Sequence, residues 1–170
     1  MPEGQEAQQA ADGAVRTFST AGTKTTVKIL DPLRELGVEP EQVTDVVLSH
    51  HHPDHTLNAA LFPNARVHDH WAIYEGDQWH WRDAEGFELS PSVRLLRTPG
   101  HTHEDITTLA GTRQGVVAFT HLWNDAASVG DRHAVDLDAL HAGRRRVLAV
   151  ADLIVPGHGP AFIPDLSTPR

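Results

Sequence analysis

The segment His50-His51-His52-Pro53-Asp54-His55 follows the apolar run Val46-Val47-Leu48 after a single serine, and it constrains the chain more than any other feature. The continuous apolar middle predicts a buried strand over 43–49. Three imidazoles and a carboxylate at its exit, spaced H-x-H-x-D-H, gain little from packing on one another, because neighbouring imidazoles repel each other's protons. A cation between them removes that conflict. On extended backbone His50 and His52 share one face and can chelate one ion, whereas His51 points away. Pro53 starts a turn that can direct Asp54 and His55 to a neighbouring position.

Two further histidines follow proline and glycine, in Thr98-Pro99-Gly100-His101 and Val155-Pro156-Gly157-His158. Proline stiffens each approach and glycine permits a tight turn before the histidine. The chain has no cysteine, which excludes disulfides and thiolate ligation. Any metal is therefore bound through nitrogen and oxygen, a donor set that suits zinc, manganese or iron.

In this order, the three segments resemble the metallo-β-lactamase-fold hydrolases. The resemblance implies an α/β chain folded as an αββα sandwich, here lacking or shortened in its N-terminal strands. Only 18–30 is offered for them, with Ala21-Gly22-Thr23 as a faint echo of the family's acidic segment. It further implies two adjacent ions, zinc in first place with manganese or iron as alternatives. By resemblance His50, His52 and His101 hold the first ion, and Asp54, His55 and His158 the second. Metal-activated hydroxide would then attack an ester, thioester, lactam or phosphoester, with Asp54 orienting it and passing a proton to the leaving group. Glu104 and Asp105 are candidates for fixing ligand imidazoles from behind.

One departure from the family stands out. Most binuclear members carry a bridging aspartate at the end of a strand between the second and last histidine motifs. The corresponding strand here, Val116-Val117-Ala118-Phe119-Thr120, ends in His121. His121 is expected to be a terminal ligand or a hydrogen-bond donor, with Asp125 the possible substitute. Two competing readings are a mononuclear iron enzyme related to persulfide dioxygenases and a metal-binding protein without turnover. The segments Leu61-Phe62-Pro63-Asn64-Ala65 and Thr98 onward narrow the resemblance to a subgroup whose animal members are linked to RNA cleavage. That activity is not carried over, because the net charge is −9 and there is no basic groove.

The rest of the chain reads as one domain over 26–165, after a weakly ordered segment 1–25 and before a tail 166–170. Asp31 is expected to cap a short helix that has Pro32 at its first position and Gly37 as its stop. A helix over 57–61, strands over 65–70 and 92–97, and a hairpin of 105–110 with 115–120 come next. A helix over 136–150 turns Leu137, Leu140, Val147 and Leu148 inward, and Arg144-Arg145-Arg146 complements its dipole. Leu153-Ile154-Val155 is the last strand. Trp71, Tyr74, Trp79 and Trp81 either wall the substrate site or cover the core. His68, His70, His80, His103, His133 and His141 have no motif support and are expected at the surface. The expected partners are a small-molecule substrate and a second copy covering the incomplete sheet. Residues 1–13 lack a secretion-signal pattern and no stretch reaches the roughly 20 apolar residues of a membrane span, so a cytoplasmic location is expected.

Overall fold

A computed structural model describes residues 27–128, 131 and 133–170. The expectations for residues 1–25, and for strands over 18–26, lie outside the described residues, whereas 27–30, also offered for strands, are helical. Two mixed sheets carry the fold. The first has the order β1-β2-β3-β4, from β1 (Asp45–Val47), β2 (Arg66–His68), β3 (Ala72–Glu75) and β4 (Gln78–Trp81). The second has the order β5-β6-β7-β8-β9, from β5 (Glu88–Ser90), β6 (Val93–Arg97), β7 (Ile106–Thr112), β8 (Gly115–Phe119) and β9 (Leu153–Val155). β1 runs parallel to β2 and β8 parallel to β9, and the other pairs are antiparallel.

Apolar side chains glue these layers together. Leu95, Ile106 and Ala84 are buried between the sheets, with Val47 and Phe87 packed against them. On the other face of the second sheet, Leu109, Ala118 and Ile154 meet Leu140 and Val147 of a helix over Leu137–Leu148. Among the described residues the α-helices are α1 (Val27–Glu35), a one-turn α2 (Pro53–Thr56) and the helix over Leu137–Leu148. The last is hereafter α3.

Several local expectations give way to tertiary packing. α1 begins at Val27, so Asp31 is no N-cap and Pro32 lies inside the helix; Ile29 and Leu33, four apart, are buried on one face. Gly37 does end this segment, with a φ of 73°. The expected helix over 57–61 is instead α2, with Pro53 in its first turn, followed by a 3-10 turn at Ala59–Leu61. β1 is shorter than 43–49 and only half-buried. The hairpin turn contracts to Arg113-Gln114, because Thr112 pairs with Gly115. Leu140 and Val147 of α3 face inward, but Leu137 is exposed.

The arginine run also serves packing before it serves the helix dipole. Arg144 is 2% exposed and grips Asp131 with both terminal nitrogens, at 2.6 and 3.1 Å, while its Nε donates to the Leu122 carbonyl. Arg146 reaches Glu85 and the Arg97 carbonyl. The four aromatics sit on or beside the β3–β4 hairpin. Trp71 packs on Trp79, whereas Trp79 and Trp81 lie exposed on the edge strand.

Candidate metal centre

Four strand ends converge on one place. β1 delivers His50, β6 leads to His101, β8 to His121 and β9 to His158. The backbone of the connecting loops is stitched across the two sheets. Ile106 donates its N–H to the Ser49 carbonyl, which ties the exit of β1 to the start of β7. Asp136, the N-cap of α3, donates to the Gly100 carbonyl, and Gly157 and His158 donate to the carbonyls of Trp123 and Asn124. Beneath these loops the hydroxyls of Thr98, Thr107 and Thr120 form a buried chain with spacings of 2.8 and 2.7 Å. Each polar group in that chain has a partner, so it rigidifies the floor of the site.

The two glycines before the histidines are needed for space as well as for turning. A Cβ on Gly157 would come within 2.5 Å of the His121 ring. A Cβ on Gly100, whose φ is 152°, would come within 2.5 Å of the Leu140 backbone. The Pro-Gly-His motifs thus let one loop press on His121 and the other on α3.

Two donor groups result. His50 Nε2 lies 3.0 Å from His52 Nδ1, and His101 Nε2 lies 3.1 Å from that same atom. The ligand atoms of Asp54, His55 and His158 form a second group within 4.8 Å of one another, with Asp54 Oδ2 3.6 Å from His55 Nε2 and 3.8 Å from His158 Nε2. His121 joins a third, overlapping group with His50 and His55. It is 7% exposed, stacked on His101 and edge-on to His50, His55 and His158. Asp125 belongs to no such group among the described residues; its carboxylate accepts from the Ala127 N–H in a local turn.

The electrostatics of this donor set fit a cation. Burial, then the neighbouring imidazoles, hold His50 far below the ordinary histidine range. The same causes bring His121 down to about 2, and burial brings His55 down to about 4 against the pull of Asp54. Burial, then His52, also lowers His101. Neutral imidazoles with lone pairs aimed at one another are the ligand form. His55 Nε2 is moreover buried with no hydrogen-bond partner, an orphan that a metal would satisfy.

Support from behind comes from Ser49 and Asp105. Ser49 Oγ is 3.1 Å from His50 Nδ1 and 3.4 Å from His55 Nδ1. Asp105 Oδ1 is 3.7 Å from His50 Nδ1, and burial pushes this carboxyl up to about 7. Glu104 turns the other way, to His51, which indeed points out of the cluster. The open side is a cleft of about 410 Å³ lined by His52, His101, His121, Asn124, His133 and His158. None of Trp71, Tyr74, Trp79 or Trp81 lines it. Asn124 and His133 carried no sequence signal for this place, because each stands alone in a loop and reaches the cleft only through folding.

Residues 17–169 match the family model of the metallo-beta-lactamase superfamily, and the chain belongs to that superfamily. Its members include hydrolases such as lactonases. Among individual proteins it is similar to metallo-beta-lactamase domain-containing protein 1. The Xenopus laevis protein is 33% identical over 89% of this chain and 72% of its own length. The Homo sapiens protein is 36% identical over 91% of this chain, which spans 61% of that relative. An N-acyl homoserine lactonase of a Bacillus species is 33% identical over 55% of this chain and 43% of its own.

Solved structures agree on the fold. A Thermotoga maritima protein assigned to the metallo-beta-lactamases superposes with a TM-score of 0.68 at 21% identity, over 86% of this chain and 81% of its own. A dizinc quorum-quenching lactonase gives 0.62 at 18% identity, over 90% and 71%. A protein in a di-iron-bound form gives 0.60 at 21% identity, over 84% and 82%. Neighbours of this fold thus hold paired zinc or paired iron. Among the described residues, no helix is long and apolar enough to cross a membrane.

Proposed function

We propose that this protein is a metal-dependent hydrolase with a binuclear centre, acting on an ester, thioester, lactam or phosphoester. The observation that carries the reading is the pair of adjacent donor groups, His50-His52-His101 and Asp54-His55-His158, opening on one cleft. The lactonase relatives favour a carboxylic ester, cyclic or open, as the first substrate class to try. His121, between the two groups, is the terminal ligand or donor that stands where most binuclear members have an aspartate. Zinc fits the nitrogen-rich set, with manganese and iron as the alternatives.

When bound, such ions make a water nucleophilic near neutral pH and polarise the substrate's electrophilic oxygen. The protein's own groups supply the rest. Asp54 is half exposed, so its carboxylate can take the proton of an attacking water and return it to the leaving oxygen. Ser49, whose Oγ meets His50 Nδ1 at 3.1 Å, fixes the His50 ring, so that Nε2 keeps its aim into the cluster. Asn124 and His133, on the cleft wall, are placed to hold substrate oxygens through hydrogen bonds.

The test is hydrolysis of aryl and lactone esters by purified chain, before and after chelation, with His52→Ala alongside. The reading expects activity that chelation abolishes and zinc or manganese restores, and that His52→Ala loses while far-UV circular dichroism stays unchanged. Ester hydrolysis surviving both treatments would rule the metal centre out as its source.

A further inference from the structure

A second group of potential ligands lies outside the cluster just described. His51 leaves β1 between His50 and His52 but faces the opposite way, toward the β2–β3 connection and the loop after β6. There its ring is held at both ends. Nε2–H donates to Asp69 Oδ2 at 3.1 Å, and Nδ1 lies 2.8 Å from Glu104 Oε2. Asp69 is 1% exposed and rigidly oriented, since the backbone N–H groups of Trp71 and Ala72 and the Tyr74 hydroxyl all donate to it. A fixed carboxylate behind one ring nitrogen settles the tautomer and turns the lone pair of the other outward, the arrangement found behind metal-binding histidines.

That lone pair faces a carboxylate oxygen, and two acceptors this close need a positive centre between them. A proton on His51 would answer the Glu104 contact alone. His70 makes a third partner: one ligand atom from each of His51, His70 and Glu104 lies within 4.8 Å of the other two. His70 Nδ1 is also buried with no hydrogen-bond partner. A metal ion satisfies all three side chains together, and a proton does not.

We propose that His51, His70 and Glu104, with Asp69 orienting His51, form a separate site for a divalent cation of the zinc type. Two imidazoles and a carboxylate are a common three-ligand set for zinc. The three side chains come from the β1–α2 loop, the β2–β3 connection and the β6–β7 loop, so the ion would clamp together the segments that carry His50, His52 and His101. This site does not depend on the hydrolase reading.

The experiment is zinc binding to the chelator-stripped chain, by calorimetric titration and elemental analysis after desalting, for the unaltered protein, Glu104→Gln and Glu104→His. Glu104 is half exposed, so neither substitution threatens the fold, and thermal melting checks this. The unaltered protein is expected to bind one more equivalent than Glu104→Gln, and Glu104→His, which restores a donor, to recover it. A His70→Asn variant should lose the same equivalent. Equal zinc stoichiometry in the unaltered protein and Glu104→Gln would overturn the site, and so would failure of Glu104→His to regain the lost equivalent.

Discussion

The ring of His121 stacks on that of His101, with centroids 4.1 Å apart and planes only 12° from parallel, while Gly157 closes on another part of the same ring. A methyl group at residue 157 would overlap three ring atoms of His121 at 2.5–2.9 Å. Gly157→Ala should therefore push His121 out of the cluster and cost about 1–3 kcal/mol of stability. Urea unfolding of a double-mutant cycle checks the cause. In a His121→Ala background the cost of Gly157→Ala should largely vanish, and an unchanged cost would place the strain elsewhere.

Arg144 offers a test of the buried support under α3. Arg144→Leu leaves the Asp131 carboxylate and the Leu122 carbonyl without their main donor. Arg144 is buried and Asp131 only partly so, and losing these charge-assisted hydrogen bonds costs about 1.5–3 kcal/mol. The melting temperature should fall by several degrees or more, and by far more than for Arg145→Leu, whose side chain lies exposed. Equal effects of the two substitutions would mean that the pair contributes nothing special.

The pH dependence has a definite sign at His68. This residue is 1% exposed, and burial lowers its pKa below the ordinary 6.5 even though Nε2 meets Asp45 at 2.8 Å. The unfolded chain therefore binds the proton first as pH falls. The stability contributed by neutral His68 is fully present above about pH 6.5 and is lost progressively below it. Asp45 behaves alike at lower pH. Burial alone would raise it, but hydrogen bonds from Thr44 and His68 and the charge of Arg66 keep it below 3.8, so its contribution goes only in stronger acid. In chelator-stripped protein, the slope of unfolding free energy against pH just below 6.5 should drop by up to about one proton in His68→Phe. Parallel slopes for the two proteins would contradict the assignment.

Metal removal should show in stability as well as in catalysis. Stripping a cation from the His50-His52-His101 and Asp54-His55-His158 groups leaves imidazoles facing one another around the buried His50, with His55 Nε2 unpartnered. Zinc at about a hundred times its dissociation constant should restore roughly 2.7 kcal/mol per site. Thermal melts with and without added zinc read this directly, and identical melting temperatures would mean that no ion binds the folded chain preferentially.

Much of the site was legible before the fold, for a local reason. The H-x-H-x-D-H segment and the two Pro-Gly-His segments are contiguous, and their spacing decides which side chains share a face. The two-residue spacing predicts the opposite aims of His51 and of the His50–His52 pair, but β1 ends at Val47, so the loop beyond it completes their placement. The misplaced start of α1 shows the limit of the same logic. Asp31-Pro32 is a strong local helix-start signal, yet burial of Ile29 with Leu33 carries the helix through it.

What the sequence determined by itself was the donor chemistry: no thiolates, histidines and a carboxylate at strand ends, and glycines ahead of two of them. Only the tertiary structure decided which of those donors meet. It placed His121 among His50, His55 and His158, buried Arg144 against Asp131, brought Asn124 and His133 to the cleft, and set His51 against Glu104 and His70. Each of these contacts joins residues on different elements. Their distances are fixed by how two sheets and α3 pack, and side-chain periodicity along one segment carries no information about that.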